Sequence, residues 1–145
     1  MNKYIILLLL GMLFSVSLYT LIAHPAGHAP DVLSPSASIR LEDVSTSYTG
    51  VHIAIKEPRL VQFTDSKSMD PVIDTQSTGI LVPASLESIH VGDIIVYAYG
   101  GRNIVHRVIE KYEYYLILKG DNLAQPDPVQ VTQDMIVGKI VGVMY

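Results

Sequence analysis

Between Lys3 and Asp31 the chain has no Asp, Glu, Lys or Arg, and within that interval Tyr4 to Ala23 reads YIILLLLGMLFSVSLYTLIA, 20 residues. A helix of that length rises ~1.5 Å per residue and spans ~30 Å, the thickness of a bilayer's hydrocarbon layer. A cleaved signal peptide is the rival reading, but its apolar region usually runs only ~7–15 residues and ends at a small-x-small site. Here the run is longer, and it leaves through His24-Pro25-Ala26-Gly27-His28-Ala29-Pro30, where a cut after Ala29 would put Pro30 next. A retained anchor at 1–23 is therefore expected. Lys3 precedes the span and the next basic residue is Arg40, so the positive-inside rule places the N-terminus in the cytoplasm and the rest outside.

The run from Tyr4 to Ala23, with 16 apolar residues among its 20, raises the hydrophobic content of the 145-residue chain to 49%. The remainder suffices for a single domain. Cys is absent, which removes disulfides, thiolate zinc sites and Cys nucleophiles together. A net charge of −4 gives no reason to expect nucleic acid as a partner.

Residues 24–49 are rich in Ala, Pro, Ser, Thr and His, and read as a linker with a short element around Ile39–Val44. From 50 to 145, short apolar runs are broken by Gly, Pro, Asp and Asn, which predicts a mainly β domain. Strands are expected at Val51–Ile55, Leu60–Phe63, Gly79–Val82, Asp93–Tyr99, Asn103–Glu110, Tyr114–Lys119 and Met135–Val143, with a hairpin turn at Tyr99-Gly100-Gly101-Arg102.

Without Cys, hydrolytic chemistry falls to Ser, Thr, His, Asp and Lys. Ser68, in Ser66-Lys67-Ser68-Met69-Asp70-Pro71, sits where Pro71 ends extended structure and can expose a hydroxyl. Taken alone, a Ser near Pro is more often a plain turn. Strand alternation puts Ile104, His106 and Val108 on one face, and Val105, Arg107 and Ile109 on the other. An imidazole between two β-branched neighbours is partly desolvated and suited to base chemistry near neutral pH; the plainer reading is a half-buried His bonded to a carbonyl. Lys119-Gly120-Asp121-Asn122 reads as a turn after a strand, and Asp121 and Asp127 are two carboxylates, either of which could orient an imidazole. His24, His28, His52 and His90 form no H-E-x-x-H pattern, so no metal site is expected.

In this order the pieces resemble type I signal peptidases, membrane-anchored serine proteases that remove signal peptides. The matching stretches are Ser68-Met69-Asp70-Pro71, Val91-Gly92-Asp93-Ile94-Ile95-Val96-Tyr97, Val105-His106-Arg107-Val108, and Lys119-Gly120-Asp121-Asn122 with Asp127, spread over about 80 residues from Ser66 to the end. The bacterial type has a Lys before Arg-Val. His106 resembles the archaeal and endoplasmic-reticulum type instead.

The resemblance implies a signal-peptidase-like coiled β-sheet domain behind one transmembrane helix. It implies Ser68 as nucleophile, His106 as general base, Asp127 and Asp121 as acidic partners with Asp127 the first choice, and Ser66 with the Ser68 amide as oxyanion donors. It also implies secretory preprotein substrates with small residues at −3 and −1, no cofactor, accessory membrane subunits as possible partners, and a catalytic domain outside the cell membrane or, in a eukaryote, on the endoplasmic-reticulum membrane. The chain departs from the pattern in three places. Lys67 stands where Gly is common, and is expected on a strand facing solvent. The insert Asp74–Ile89 is expected to reshape the cleft or add a strand. Leu123 stands where a second Asn is common. Two alternatives are a catalytically inactive anchored β module of the same fold that binds peptides or partner proteins, and a self-cleaving regulator of the related repressor-protease fold; the anchor and the His base disfavour the second.

Overall fold

The computed structural model describes residues 32–145, so the expected anchor and the first part of the expected linker lie outside the described residues. Among the described residues no helix is long and apolar enough to cross a membrane. The fold there is mainly β. The strands are β1 (Val44–Ser47), β2 (Gly50–Ile53), β3 (Arg59–Gln62), β4 (Thr78–Val82), β5 (Ile94–Tyr99), β6 (Arg102–Lys111), β7 (Leu116–Lys119) and β8 (Ile136–Met144). β1 and β2 form a separate antiparallel hairpin, and the rest form a six-stranded antiparallel sheet in the order β3-β4-β8-β5-β6-β7.

All seven expected strands are present, with ends shifted by a few residues. β5 is β-branched and aromatic along its length, and its central place lets it bury both faces from Ile94 to Tyr97. Its alternation divides the core. Ile95 and Tyr97 pack with Ile89, Val108, Leu116, Leu118 and Val131. Ile94 and Val96 pack with Met69, Ile73, Leu81 and Ile140. The β5–β6 turn forms as expected: Gly100 and Gly101 have φ of 57° and 75°, the pair of positive values a two-residue hairpin with right-twisted strands requires.

The segment Asp74–Ile89 contributes a strand. β4 arises within Asp74–Ile89 and lies between β3 and β8. A turn precedes it, in which Asp74 Oδ1 accepts from the Gln76 and Ser77 amides, each at 2.9 Å, and from the Ser77 hydroxyl at 2.8 Å. Ile89, at the far end of the insert, is fully buried.

The folded body begins well before residue 50. Arg107 Nη1 donates to Leu33 O at 3.0 Å, and the Ser36 amide and hydroxyl each donate to Asp93 Oδ1 at 2.7 Å. Gly92 has a φ of 98°, and a Cβ there would stand 2.3 Å from Ser34 O, so only Gly admits the segment. Residues 33–36, read as linker from their composition, are thus fixed by polar bonds to buried groups. The short element expected around Ile39–Val44 is a 3₁₀ turn, Leu41–Asp43, running into β1.

Candidate active site

The Ser68 loop follows β3. Met69 and Ile73 are its anchors, buried in the second core cluster, while the amides of Val72 and Ile73 close a turn on Met69 O at 2.9 and 3.0 Å. Ser68 opens this turn and is half-buried, with Ser66 exposed beside it. The two hydroxyls are 3.1 Å apart, and the Ser68 amide donates to Ser66 Oγ at 3.5 Å. Lys67 is exposed but lies on no strand; its φ is 56°, the left-handed region in which Gly is the unstrained residue. That explains why a Gly suits the position.

His106 lies on β6 opposite Ile95, on the face of the first core cluster, and is 7% exposed. Ile104 and Val108 pack in that cluster and Val105 in the other, as the strand alternation predicts. After β7 the chain turns at Gly120 and folds back along the strand, with the Asp127 amide donating to Leu118 O at 2.8 Å. This places the Asp127 carboxylate against the imidazole: Nδ1 is 2.8 Å from Oδ1 and 2.7 Å from Oδ2. An ionised carboxylate only accepts, so the proton of this contact sits on Nδ1, and in the neutral ring that leaves Nε2 as the acceptor.

Asp121, the second carboxylate considered for His106, lies elsewhere. It holds Arg107 in a fork, accepting from Nε at 2.8 Å and Nη2 at 2.7 Å. Adjacent residues of a strand point to opposite faces, so a carboxylate that pairs with Arg107 stands behind the strand from His106. Arg107 also donates to Gly92 O at 2.9 Å, so each nitrogen of the buried guanidinium makes a hydrogen bond.

Gly120 brings the halves of the site together. A Cβ there would lie 2.6 Å from Ser68 O and 3.0 Å from His106 Nε2, so the bare Cα is what lets the turn pass between them. Asn122 ties the same turn to the Ser loop: its amide donates to Ser68 O at 2.9 Å and its side chain to Lys67 O at 3.0 Å. Ser66, Ser68 and His106 line one cleft of about 580 Å³, whose apolar wall includes Val61, Phe63 and Val105. β7 pairs with β6 only from Arg107 onward, so among the described residues no strand covers the outer edge of Asn103–Val105 beside this cleft. Ser68 Oγ bonds to Ser66 and not to His106.

Three residues that lie in the matching stretches, and to which the sequence reading gave no role, take part. Arg107 and Asn122 fix the loops. Tyr97, 1% exposed, donates from its hydroxyl to Asp127 Oδ2 at 2.7 Å. Burial, with the hydrogen bond and charge of Asp127, pushes the Tyr97 phenol well up, so it remains a donor. Tyr97 could have been found from register, since it lies two residues along β5 from Ile95, the partner of His106.

No protein-family model, curated protein or solved structure matches this chain.

Proposed function

We propose that the chain is a membrane-anchored serine endopeptidase resembling type I signal peptidases of the Ser-His kind, with a signal-peptidase-like β domain, acting on secretory preproteins outside the membrane its N-terminal span enters. The observation that carries the reading is the His106–Asp127 pair, with Nδ1 2.7 Å from Oδ2, whose imidazole lines the same cleft as Ser68.

In this reading a substrate strand adds along the free edge at Asn103–Val105 and presents its scissile carbonyl to Ser68. His106 Nε2 removes the Ser68 proton as Oγ attacks, and Asp127 holds the resulting imidazolium. The Ser68 amide and Ser66 hydroxyl stabilise the tetrahedral oxyanion. His106 then protonates the leaving amine, and water releases the acyl group by the reverse sequence. Ser68 Oγ, 3.1 Å from Ser66 Oγ, turns to His106 Nε2 in this reading as the substrate binds, since catalytic contacts tighten in the bound complex. Shallow apolar pockets select small side chains at −3 and −1 by excluding large ones.

The test is cleavage by the full chain in detergent micelles of a preprotein with Ala at −3 and −1, compared with one carrying Leu at both. Cutting of the first alone supports the reading, and cutting of neither sinks it. The alternative, a catalytically inactive module that binds peptides, draws on the Ser68–Ser66 contact; it predicts saturable binding of the first preprotein with no product.

A further inference from the structure

His106 is held by a carboxylate from a loop. Asp127 lies between Pro126 and Pro128 in a connection of several exposed residues, and its backbone is tied to β7 by one amide bond to Leu118 O. Nothing in that loop fixes the rotation of the carboxyl group. The donor that does so comes from the centre of the sheet.

We propose that Tyr97 is a positioning residue for the Ser68–His106–Asp127 set, its hydroxyl fixing the Asp127 carboxylate in the plane that meets His106 Nδ1; the assignment rests on the peptidase reading above. Three observations carry it. The Tyr97 hydroxyl is 2.7 Å from Asp127 Oδ2, and that same oxygen is 2.7 Å from His106 Nδ1. Tyr97 lies on β5, which pairs on both sides, with β6 and β8. Its ring packs in the cluster of Ile89, Ile95, Leu116 and Leu118, so the hydroxyl has a fixed origin. Tyr97 touches no reacting atom and acts only through Asp127. A carboxylate with one well-placed partner can turn away during the catalytic cycle; with two it stays in register with the imidazole as charge develops there.

Tyr97→Phe removes one oxygen and keeps the ring, so the core is preserved. Tyr99→Phe, an exposed position, serves as control. In the full chain in micelles, Tyr97→Phe is expected to lower kcat about tenfold, as misplacement of a positioning contact does, with KM unchanged. The second readout needs no substrate. The Nδ1–H proton of His106, assigned by its loss in His106→Asn, should give a far-downfield NMR resonance that broadens or moves upfield in Tyr97→Phe and not in Tyr99→Phe. An unchanged kcat with an unchanged resonance, beside an active wild type, overturns the role of Tyr97 alone. A wild type that cleaves nothing overturns the peptidase reading and this assignment with it, whatever the resonance does.

Discussion

Asp127 meets His106 with both carboxylate oxygens, Oδ1 at 2.8 Å and Oδ2 at 2.7 Å from Nδ1. The pair is buried on both sides, with side-chain exposures of 8% for His106 and 6% for Asp127. In the proposed reaction the carboxylate would fix the imidazole tautomer and stabilise the cation formed during proton transfer. Asp127→Asn keeps the shape and loses that function. Its kcat should fall by about 10³–10⁴-fold, with the fold retained by circular dichroism. An unchanged rate would remove Asp127 from the mechanism.

Asn122 joins two segments that are far apart in sequence, donating to Lys67 O and Ser68 O at 3.0 and 2.9 Å. Asn122→Ala deletes the side-chain bond only. A small displacement of the Ser68 loop costs roughly 10- to 100-fold in kcat, while stability falls by about 0.5–1.5 kcal/mol. Steady-state kinetics and urea unfolding measured together check both numbers.

Lys67 holds a φ of 56° next to the proposed nucleophile. Lys67→Gly relieves a left-handed conformation that costs an L-residue ~1–2 kcal/mol, less the backbone entropy Gly loses on folding. The net expectation is a gain of about 0.5–1 kcal/mol in unfolding free energy. A loss of stability would show that the Lys67 side chain makes a stabilising contact that outweighs the strain.

Asp93 receives the Ser36 amide and hydroxyl, the His90 amide at 2.9 Å and Lys139 Nζ at 3.3 Å. Burial pushes its carboxyl up, but the bonds from Ser36 and His90 and the Lys139 charge outweigh it and hold the group below the usual carboxylate range. A depressed folded-state value means that the stabilisation is full above the unfolded value of about 4 and is lost as pH falls through the lower folded value. Asp93→Asn should therefore be less stable than wild type at pH 7, and the gap should narrow below about pH 4. Chemical unfolding as a function of pH checks this; a gap that stays constant into acid would contradict it.

Much of the sheet was legible because its signal is local. β5 reads as a continuous apolar run since it is covered on both faces, and β6 shows the alternation that puts His106 and Arg107 on opposite sides. The hairpin between them is written in Gly100-Gly101. The candidate residues Ser68, His106 and Asp127 were also legible, through short motifs. What stayed hidden depends on contacts between distant segments. The residues alone left both Asp121 and Asp127 open, with the resemblance naming Asp127 first, because the choice is made by which side of β6 each part of the connection after β7 reaches. The Leu33–Ser36 segment looked like spacer since its bonds run to Asp93 and Arg107, with no apolar period to mark them. The bond from Tyr97 to Asp127 depends on the register of β5 against β6, which no single strand reveals.

The central claim is that Ser68 is a nucleophile activated by His106. Its most direct measurement is cleavage of a preprotein by the full chain in detergent micelles, followed by mass spectrometry, for wild type, Ser68→Ala and His106→Ala. The account predicts one cut after the small −1 residue with wild type and none above background with either variant. Product formed at an undiminished rate by Ser68→Ala, or no product from wild type, would contradict it.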